Sequence, residues 1–321
     1  MSITLAEAKV GMADKVDQQI IDMFRRSSLL LDALTFDNAI SPGTGGSTLT
    51  YGYVQLKTPS TAAVRAINSE YTPGEAKREE KTAKAEIMGG SFEVDRVLQN
   101  TSGAVNELAF QAEQKIKATA NFFHNKAIND TTSGLAKVLE GTENEFTSAV
   151  DLTTSANMDN NYSAFLDELD TVISAVDGKP SMLLMNREML SKLRSAARRA
   201  GYYTRSEDAF GRPVEAYNDI PLMDVGGYYN GTKTVDVIPT STPSASAEGT
   251  TAIYAVALGL DAFHGISPVG NNIINTYMPD MTAPGAVKKG EVELVAGTVL
   301  KNTLKAAVLK GIKIKPKKSG S

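Results

Sequence analysis

Residues that most often carry chemistry are few in this chain. It has no cysteine and two histidines, His124 and His264, so thiolate chemistry and tetrahedral zinc sites built from cysteine and histidine are excluded. A Ser-His-Asp site would have to use one of these histidines, and no G-x-S-x-G segment presents a serine to them. Acidic residues are plentiful, but no spacing singles out a pair. We therefore predict no catalytic residue, no cofactor and no metal site, and a structural role for both histidines.

Phosphate and nucleic-acid chemistry also has weak support. The glycine-rich stretch 41–47 lacks the lysine of a phosphate-binding loop, and a strand pattern follows it instead of a helix. The formal net charge of −4 gives no global basic field. Bases concentrate in two places: residues 187–199 have five bases against one acid, and 288–318 have nine lysines against two glutamates. The first stretch could meet DNA or an acidic neighbour, or it could be a solvated basic face.

The termini and the hydrophobic runs give no sign of a membrane partner. The first residues lack the basic and apolar regions of a secretory signal. The longest aliphatic cluster, 29–31, is far too short to span a bilayer. We expect neither secretion nor membrane insertion.

One stretch, residues 49–98, is organised in a way that suits contact with other chains. A β-type run at 49–54 leads into a polar excursion, 63–84, and an alternating run at 87–98 returns the chain to the core. The predicted tip of the excursion has four acids and four bases. These eight residues are Glu70, Glu75, Lys77, Arg78, Glu79, Glu80, Lys81 and Lys84. They predict either a solvated hairpin tip or ion pairs with adjacent copies, which would fix register more than affinity.

A long helix over about 102–126 is the strongest local prediction, because apolar residues recur there at helical spacing. These positions are Val105, Leu108, Ala109, Ala112, Ile116, Ala120, Phe123 and Ala127. An α/β pattern follows, with a helix around 165–176, a buried strand at 181–185 and a helix from Arg187 that Asn186 can cap. The predicted fold class is therefore α+β.

This order of elements resembles the major capsid proteins of tailed bacteriophages, which share the HK97 fold. The resemblance covers nearly the whole chain and is one of order and spacing, best seen in 165–176, 182–187 and 219–223. It implies an N-terminal arm, an extended β-hairpin called the E-loop, a P-domain with a long spine helix, and an α/β A-domain. The implied boundaries are 1–46 for the arm, 47–100 for the E-loop, 101–145 for the spine helix and following segment, 146–263 for the A-domain, and 264–321 for the return strands of the P-domain and the C-terminal tail.

The resemblance implies a structural protein, not an enzyme. Copies would form pentamers and hexamers that assemble into an icosahedral phage head enclosing double-stranded DNA. The expected partners are other copies of the chain, a separate scaffolding protein, a portal, and packaged DNA held by weak non-specific contacts. The eight charged residues of the excursion are the expected intersubunit contacts. The expected location is the virion, after assembly in the cytoplasm of a bacterial host.

Two other functions stay open. An encapsulin compartment, which encloses cargo, shares the fold, but encapsulins dispense with an N-terminal arm, so the arm favours the virus. A carboxylate-based hydrolase is the more distant alternative. In a shell, one sequence would have to fit five-fold and six-fold surroundings, and the runs Gly43-Thr44-Gly45-Gly46 and Gly89-Gly90 are the predicted flex points.

Overall fold

A computed structural model of the chain describes residues 30–37, 49–97, 107–201, 204–207, 213–268 and 274–318. Its helices in these ranges are α1 (Leu30–Ala33), α2 (Glu107–Asn129), α3 (Leu135–Val138), α4 (Ser155–Ala175) and α5 (Arg187–Arg199), with a 3₁₀ turn at Thr303–Lys305. The first strands are β1 (Phe36–Asp37), β2 (Thr50–Thr58), β3 (Lys77–Lys84), β4 (Glu86–Asp95), β5 (Glu145–Thr147), β6 (Met182–Met185), β7 (Thr204–Glu207) and β8 (Pro213–Tyr217). The later strands are β9 (Ile220–Asp224), β10 (Gly227–Tyr229), β11 (Thr234–Asp236), β12 (Gly249–Val256), β13 (Phe263–Ile266), β14 (Ile274–Tyr277), β15 (Val287–Leu300) and β16 (Ala306–Lys315).

A seven-stranded mixed sheet, in the order β5-β16-β12-β6-β9-β8-β7, separates two hydrophobic cores. All four residues of β6 are buried, which is why its sequence reads as an unbroken apolar run. Successive side chains alternate between the cores: Leu183 and Met185 pack on one side, Met182 and Leu184 on the other. The predicted strand at 181–185 is therefore the centre of the fold.

Helices α4 and α5 cover the first of these cores. α4 buries Phe165, Leu169 and Val172, and its N-terminus is capped by the Thr154 side chain, which accepts from the Asn157 backbone N–H at 3.1 Å. Asn186 caps α5 as predicted, accepting from the Met189 N–H at 2.8 Å. Asn186 is itself buried, and its amide group donates to the side-chain oxygen of Thr251 and the carbonyl of Ile238, both at 2.9 Å. This polar side chain is thus satisfied within the core, as buried polar groups must be.

Helix α2 joins a second sheet to the far core. At ~1.5 Å per residue its 23 residues span roughly 35 Å. Its first half packs Ala112, Leu108 and Ile116 over β4 and β15, whereas Phe123, Ala127 and Ile128 enter the core beneath β6. The predicted start near 102 lies outside the described residues, and Ala109, predicted on the apolar face, is exposed.

Strand β15 organises the second sheet. It pairs with β4 along ten residues, with β14 at residues 291–294 and with β13 at residues 297–300, and β13 in turn pairs with β1. The final strand, β16, does not join this sheet and lies between β5 and β12. Its residues 306–309 are therefore buried on both faces. The division of the chain into arm, E-loop, P-domain and A-domain stays a prediction.

The two glycines predicted as flex points in β4 sit inside the β4–β15 ladder. A Cβ atom at Gly89 would lie 2.0 Å from the carbonyl oxygen of Val292, whereas one at Gly90 would meet the Lys115 side chain at 3.3 Å. Close approach of two backbones is therefore what requires glycine at Gly89. The other predicted flex point, residues 43–46, lies outside the described residues. Among the helices that the structure describes, none combines the length and apolarity needed to cross a membrane.

Candidate interaction surface

Strands β2 and β3 form a two-stranded antiparallel hairpin that leaves the body of the protein. We call β2, β3 and the connecting residues 59–76 the projecting hairpin. Every residue from Leu56 to Thr82 is exposed, so this part of the chain adds little to the core of its own subunit. At ~3.4 Å per residue, the nine residues of β2 alone reach roughly 30 Å.

The base of the projecting hairpin, in contrast, is firmly fixed. Its small apolar cluster consists of Tyr51, Ala83, Ala85, Ile266, Val295 and Val299. The Tyr51 hydroxyl donates to the Asp37 carboxylate at 2.8 Å, and the Lys301 ammonium lies 5.2 Å from the centre of the Tyr51 ring. The Gln55 side-chain amide donates to the backbone carbonyl of Lys301. Burial raises the pKa of the Tyr51 hydroxyl, so the hydroxyl stays protonated at neutral pH and can donate to Asp37.

The connecting segment has its own local order. The backbone turns at residues 66–69, where Ser69 N–H donates to the Ala66 carbonyl at 3.2 Å and Asn68 adopts a left-handed φ of 65°. Asparagine tolerates this conformation better than most residues. The Arg65 guanidinium lies 5.3 Å from the centre of the Tyr71 ring. The segment thus presents a defined shape at the end of the projecting hairpin.

The eight charged residues predicted to form the tip are divided between two elements. Glu70 and Glu75 lie in the connecting segment, whereas the others are in β3. Those in β3 are Lys77, Arg78, Glu79, Glu80, Lys81 and Lys84. The prediction that 70–84 is one tip is therefore wrong, because β3 pairs with β2 from Lys84↔Thr50 to Lys77↔Thr58. Its high charge hid the strand, since charged residues have low β-propensity and mask the alternation that marks a strand.

The projecting hairpin also exposes apolar side chains that the sequence analysis did not select. Val54 and Leu56 are 66% and 59% exposed, and they lie directly across from Glu80 and Arg78 on one face. The connecting segment adds exposed Val64, Ile67 and Tyr71. The sequence carried a signal for this at 53–56. Val54 and Leu56 fall on one face of the strand, and Tyr53 and Gln55 fall on the other, so each face is partly apolar. A surface that mixes exposed apolar groups with both charge signs is suited to a protein partner.

The basic helix α5 turns its charges largely toward its own subunit. Arg194 pairs with Glu215 at 2.6 Å, Arg199 pairs with Asp159, and the Lys192 ammonium donates to two backbone carbonyls just before α4. Burial lowers the pKa of Lys192. Three of the five bases therefore have intramolecular partners, which leaves little of this face for a phosphate backbone.

The lysine-rich C-terminal stretch is neutralised in the same way. Its lysines pair with acids from distant parts of the chain. The pairs are Lys305–Asp177, Lys310–Glu145 and Lys315–Glu188, while Lys313 and Lys317 share Glu248. The local excess of positive charge read from the sequence is thus balanced by the fold.

The structure also describes the side chains most often used in catalysis or metal binding. In the parts of the chain that the structure describes, no group of three or more His, Asp or Glu side chains is arranged to hold a metal ion. His124 and His264 are both buried, on α2 and β13 respectively. The projecting hairpin calls for a functional explanation because it is exposed from Leu56 to Thr82.

Comparison with known proteins gives a fold but no close relative. No protein-family model matches the chain, and no curated protein matches it either. Among solved structures, the holo-SrpI encapsulin complex from Synechococcus elongatus matches with a TM-score of 0.66 at 12% identity, covering 100% of both chains. The capsid of a native GTA particle matches with a TM-score of 0.59 at 11% identity, over 96% of this chain and 98% of that one. The capsid of Myoviridae phage XM1 gives 0.54 at 16% identity, over 97% and 99%.

Proposed function

Because the chain has the HK97-like capsid fold, we propose that it is the major capsid protein of a tailed bacteriophage. Copies assemble as pentamers and hexamers into an icosahedral head that encloses double-stranded DNA. A separate scaffolding protein and a portal are the further partners. The structures that the chain resembles belong to shells, not to enzymes, which supports a structural role.

One observation carries the shell function: the projecting hairpin is exposed from Leu56 to Thr82 yet is held rigidly at its base. A solitary protein gains nothing from a stiff, roughly 30 Å extension with apolar side chains in water. In a shell, the same extension lies on an adjacent copy, where Val54, Leu56 and Tyr71 become buried. The charges of β3 then exclude wrong registers more than they add affinity.

The encapsulin compartment is the second candidate, and its support is the match that covers the whole of both chains. The phage head is favoured by the capsid matches, which also cover nearly all of both chains. Residues 30–37 pack onto α2 through Leu30 and pair with β13 through β1, so the expected N-terminal arm has a docking place on the core. Because the encapsulin match includes this part of the chain, the arm does not separate the two kinds of shell.

Electron microscopy of the protein produced in bacteria, alone and together with the products of its neighbouring genes, tests the proposal. Closed icosahedral particles are the expected result, and particles filled with nuclease-protected DNA identify the phage head. Particles that enclose one specific protein cargo would replace the phage head with the encapsulin. Monomers under every one of these conditions would contradict the shell function altogether.

A further inference from the structure

The chain's two histidines both lie beneath one short segment. Residues 30–37, which we call the docked segment, contact helix α2 at one end and strand β13 at the other. His124 is on α2 and His264 is on β13, and each is buried, at 2% and 0% exposure. The inference rests on this placement: the two histidines lie at the two ends of the site that holds the docked segment.

His124 holds the first end. The Leu31 backbone N–H donates to its Nε2 atom at 3.2 Å. Leu31 is in α1, so this hydrogen bond ties the docked segment directly to α2. Accepting at Nε2 places the ring proton on Nδ1, and Nδ1 is buried without a hydrogen-bond partner among the described residues. A second proton on Nε2 would turn the acceptor into a donor that faces another donor.

His264 supports the second end. The next residue is Gly265, whose N–H donates to the Thr35 carbonyl at 2.9 Å. The Phe36 ring lies so close to Gly265 that a Cβ atom there would be 2.4 Å from it. The His264 Nδ1 atom lies 3.3 Å from the backbone carbonyl oxygen of Ala262. Its Nε2 atom is buried without a hydrogen-bond partner in the described parts of the chain.

Charged groups face His264 from several elements. Asp37 on β1 and Asp261 before β13 favour its protonation, whereas Lys301 after β15 opposes it. The Tyr51 ring of β2 meets the imidazole edge-on, with ring centres 6.0 Å apart. Burial outweighs the acids and lowers the pKa of His264. The ring is therefore neutral at neutral pH, and the same contact links it to the base of the projecting hairpin.

We infer that His124 and His264 form an acid-sensitive latch that keeps the docked segment on α2 and β13 while both rings are neutral and releases it when they take up protons. Protonation of His124 breaks the Leu31–His124 hydrogen bond, and protonation of His264 places a charge in a buried site beside β1 and Tyr51. The latch therefore couples the attachment of the docked segment, and the setting of the hairpin base, to pH. It acts within one subunit and holds whether or not the chain builds a phage head.

The direction and size of the effect follow from proton linkage. Burial lowers the pKa of His124 from its ordinary 6.5 to about 4 in the docked state. The released state therefore binds more protons between these values, and docking is fully stabilised above pH 6.5 and weakens as pH falls toward 4. If release restores the ordinary pKa, the released fraction rises roughly 30-fold between pH 7.5 and pH 5 from His124 alone.

The absence of cysteine from the chain makes the test simple. Leu34→Cys places a single thiol at a buried position of the docked segment, and Thr35→Cys places one at the adjacent exposed position. A pyridyl disulfide reagent, which reacts with thiols in acid, labels both full-length variants from pH 7.5 to pH 5. The ratio of the two labelling rates reports release and cancels the intrinsic pH dependence of the reagent. We expect this ratio to rise by at least ten-fold as pH falls.

The same ratio is then measured in a His124→Gln/His264→Gln background. Glutamine can still accept from Leu31 N–H but does not titrate, so the rise should disappear. A rise that persists there, or no rise with the histidines present, overturns the inference. Hydrogen exchange of the unmodified protein, corrected for intrinsic rates, gives a second reading if the double variant fails to fold. Acid must then raise exchange in 30–37 but not in 182–185, and equal or absent changes contradict the latch.

Discussion

The seven-stranded sheet and the projecting hairpin are both β-structure, yet they bury their side chains very differently. In the sheet, β6, β12 and β16 are covered on both faces, and neighbouring residues enter two separate cores. In the hairpin, β2 and β3 are covered only at their base, around Tyr51 and Ala83. Both have continuous antiparallel pairing with local register shifts, so strand pairing alone does not say where the stability comes from.

The difference separates folding from assembly. Burial of apolar area supplies most of the free energy of folding, and the two cores on either side of the seven-stranded sheet hold most of the buried apolar residues. The projecting hairpin contributes exposed surface charges, which are worth ~0–1 kcal/mol per pair to a monomer, such as Lys57–Glu79 at 3.3 Å. Substitutions in the sheet should therefore change the free energy of unfolding, and substitutions in the hairpin should change contacts between copies.

The largest expected effect is in the sheet. Leu184→Ala should lower the free energy of unfolding by about 2–5 kcal/mol, because Leu184 is fully buried and its loss leaves a cavity. Leu56→Ala removes the same atoms from an exposed position of β2 and should cost less than about 0.5 kcal/mol. Urea unfolding of the dissociated subunits measures both. Similar costs for the two would erase the proposed difference between the regions.

A second pair of substitutions compares glycines. Gly89→Ala should destabilise the subunit by about 1–3 kcal/mol, because the new Cβ would lie 2.0 Å from the Val292 carbonyl oxygen across the β4–β15 ladder. Gly52→Ala, in β2, places its Cβ at an ordinary 3.5 Å from the Glu80 side chain and should be nearly neutral. Thermal unfolding followed by circular dichroism distinguishes them. A neutral Gly89→Ala would restore the view of this glycine as a flex point.

A third prediction concerns the turn after α2, which adjoins the hairpin base. Burial alone would raise the pKa of Asp130, but hydrogen bonds from Thr132, Ser133 and Lys126 outweigh it and hold the pKa well below its ordinary 3.8. The stabilisation is therefore present above that value and is lost as pH falls below it.

Asp130→Asn should cost about 1–3 kcal/mol at pH 7 and flatten the loss of stability in acid. The exposed Asp170→Asn on α4 is the control and should leave both unchanged. Urea unfolding between pH 7 and pH 3 measures the effect. If the free energy of unfolding of the Asp130→Asn variant falls in acid as it does in the parent, the Asp130 carboxylate does not have this role.

Sequence reasoning predicted the elements whose patterns are unambiguous. The unbroken apolar run of β6, the helical spacing of α4 and the capping role of Asn186 are all found in the structure. The HK97-like fold, inferred from the order of the elements, is also confirmed. These features are local in sequence, so their physical causes can be read from it directly.

Features that depend on distant partners could not be read in this way. The strand β3 was taken for a tip because its charges hide the alternation, and its pairing with β2 is set across 59–76. The role of the basic stretch 187–199 stayed open between an interaction surface and a solvated face, and 288–318 was known only to be locally basic. Their acidic partners, such as Glu215 and Glu145, lie elsewhere in the sequence. The shared position of His124 and His264 beneath residues 30–37 likewise exists only in three dimensions.

The smallest effect on stability should come from shortening the projecting hairpin. Replacing residues 59–76 by Asn-Gly joins Thr58 to Lys77, which already face each other, through a turn that antiparallel strands accept. The strand β3 and the buried Ala83 are kept. The free energy of unfolding should change by less than about 1 kcal/mol, because every replaced residue is exposed.

The most direct test of the central claim is the assembly of this shortened variant. Parent and variant are compared side by side by sedimentation and negative-stain microscopy under conditions in which the parent forms closed particles. The account predicts a variant that melts cooperatively near the parent's temperature and forms no closed shells, because the outer part of the grip, with exposed Val64, Ile67 and Tyr71, is lost. Normal closed shells from the variant would contradict the claim that the projecting hairpin holds neighbouring subunits together.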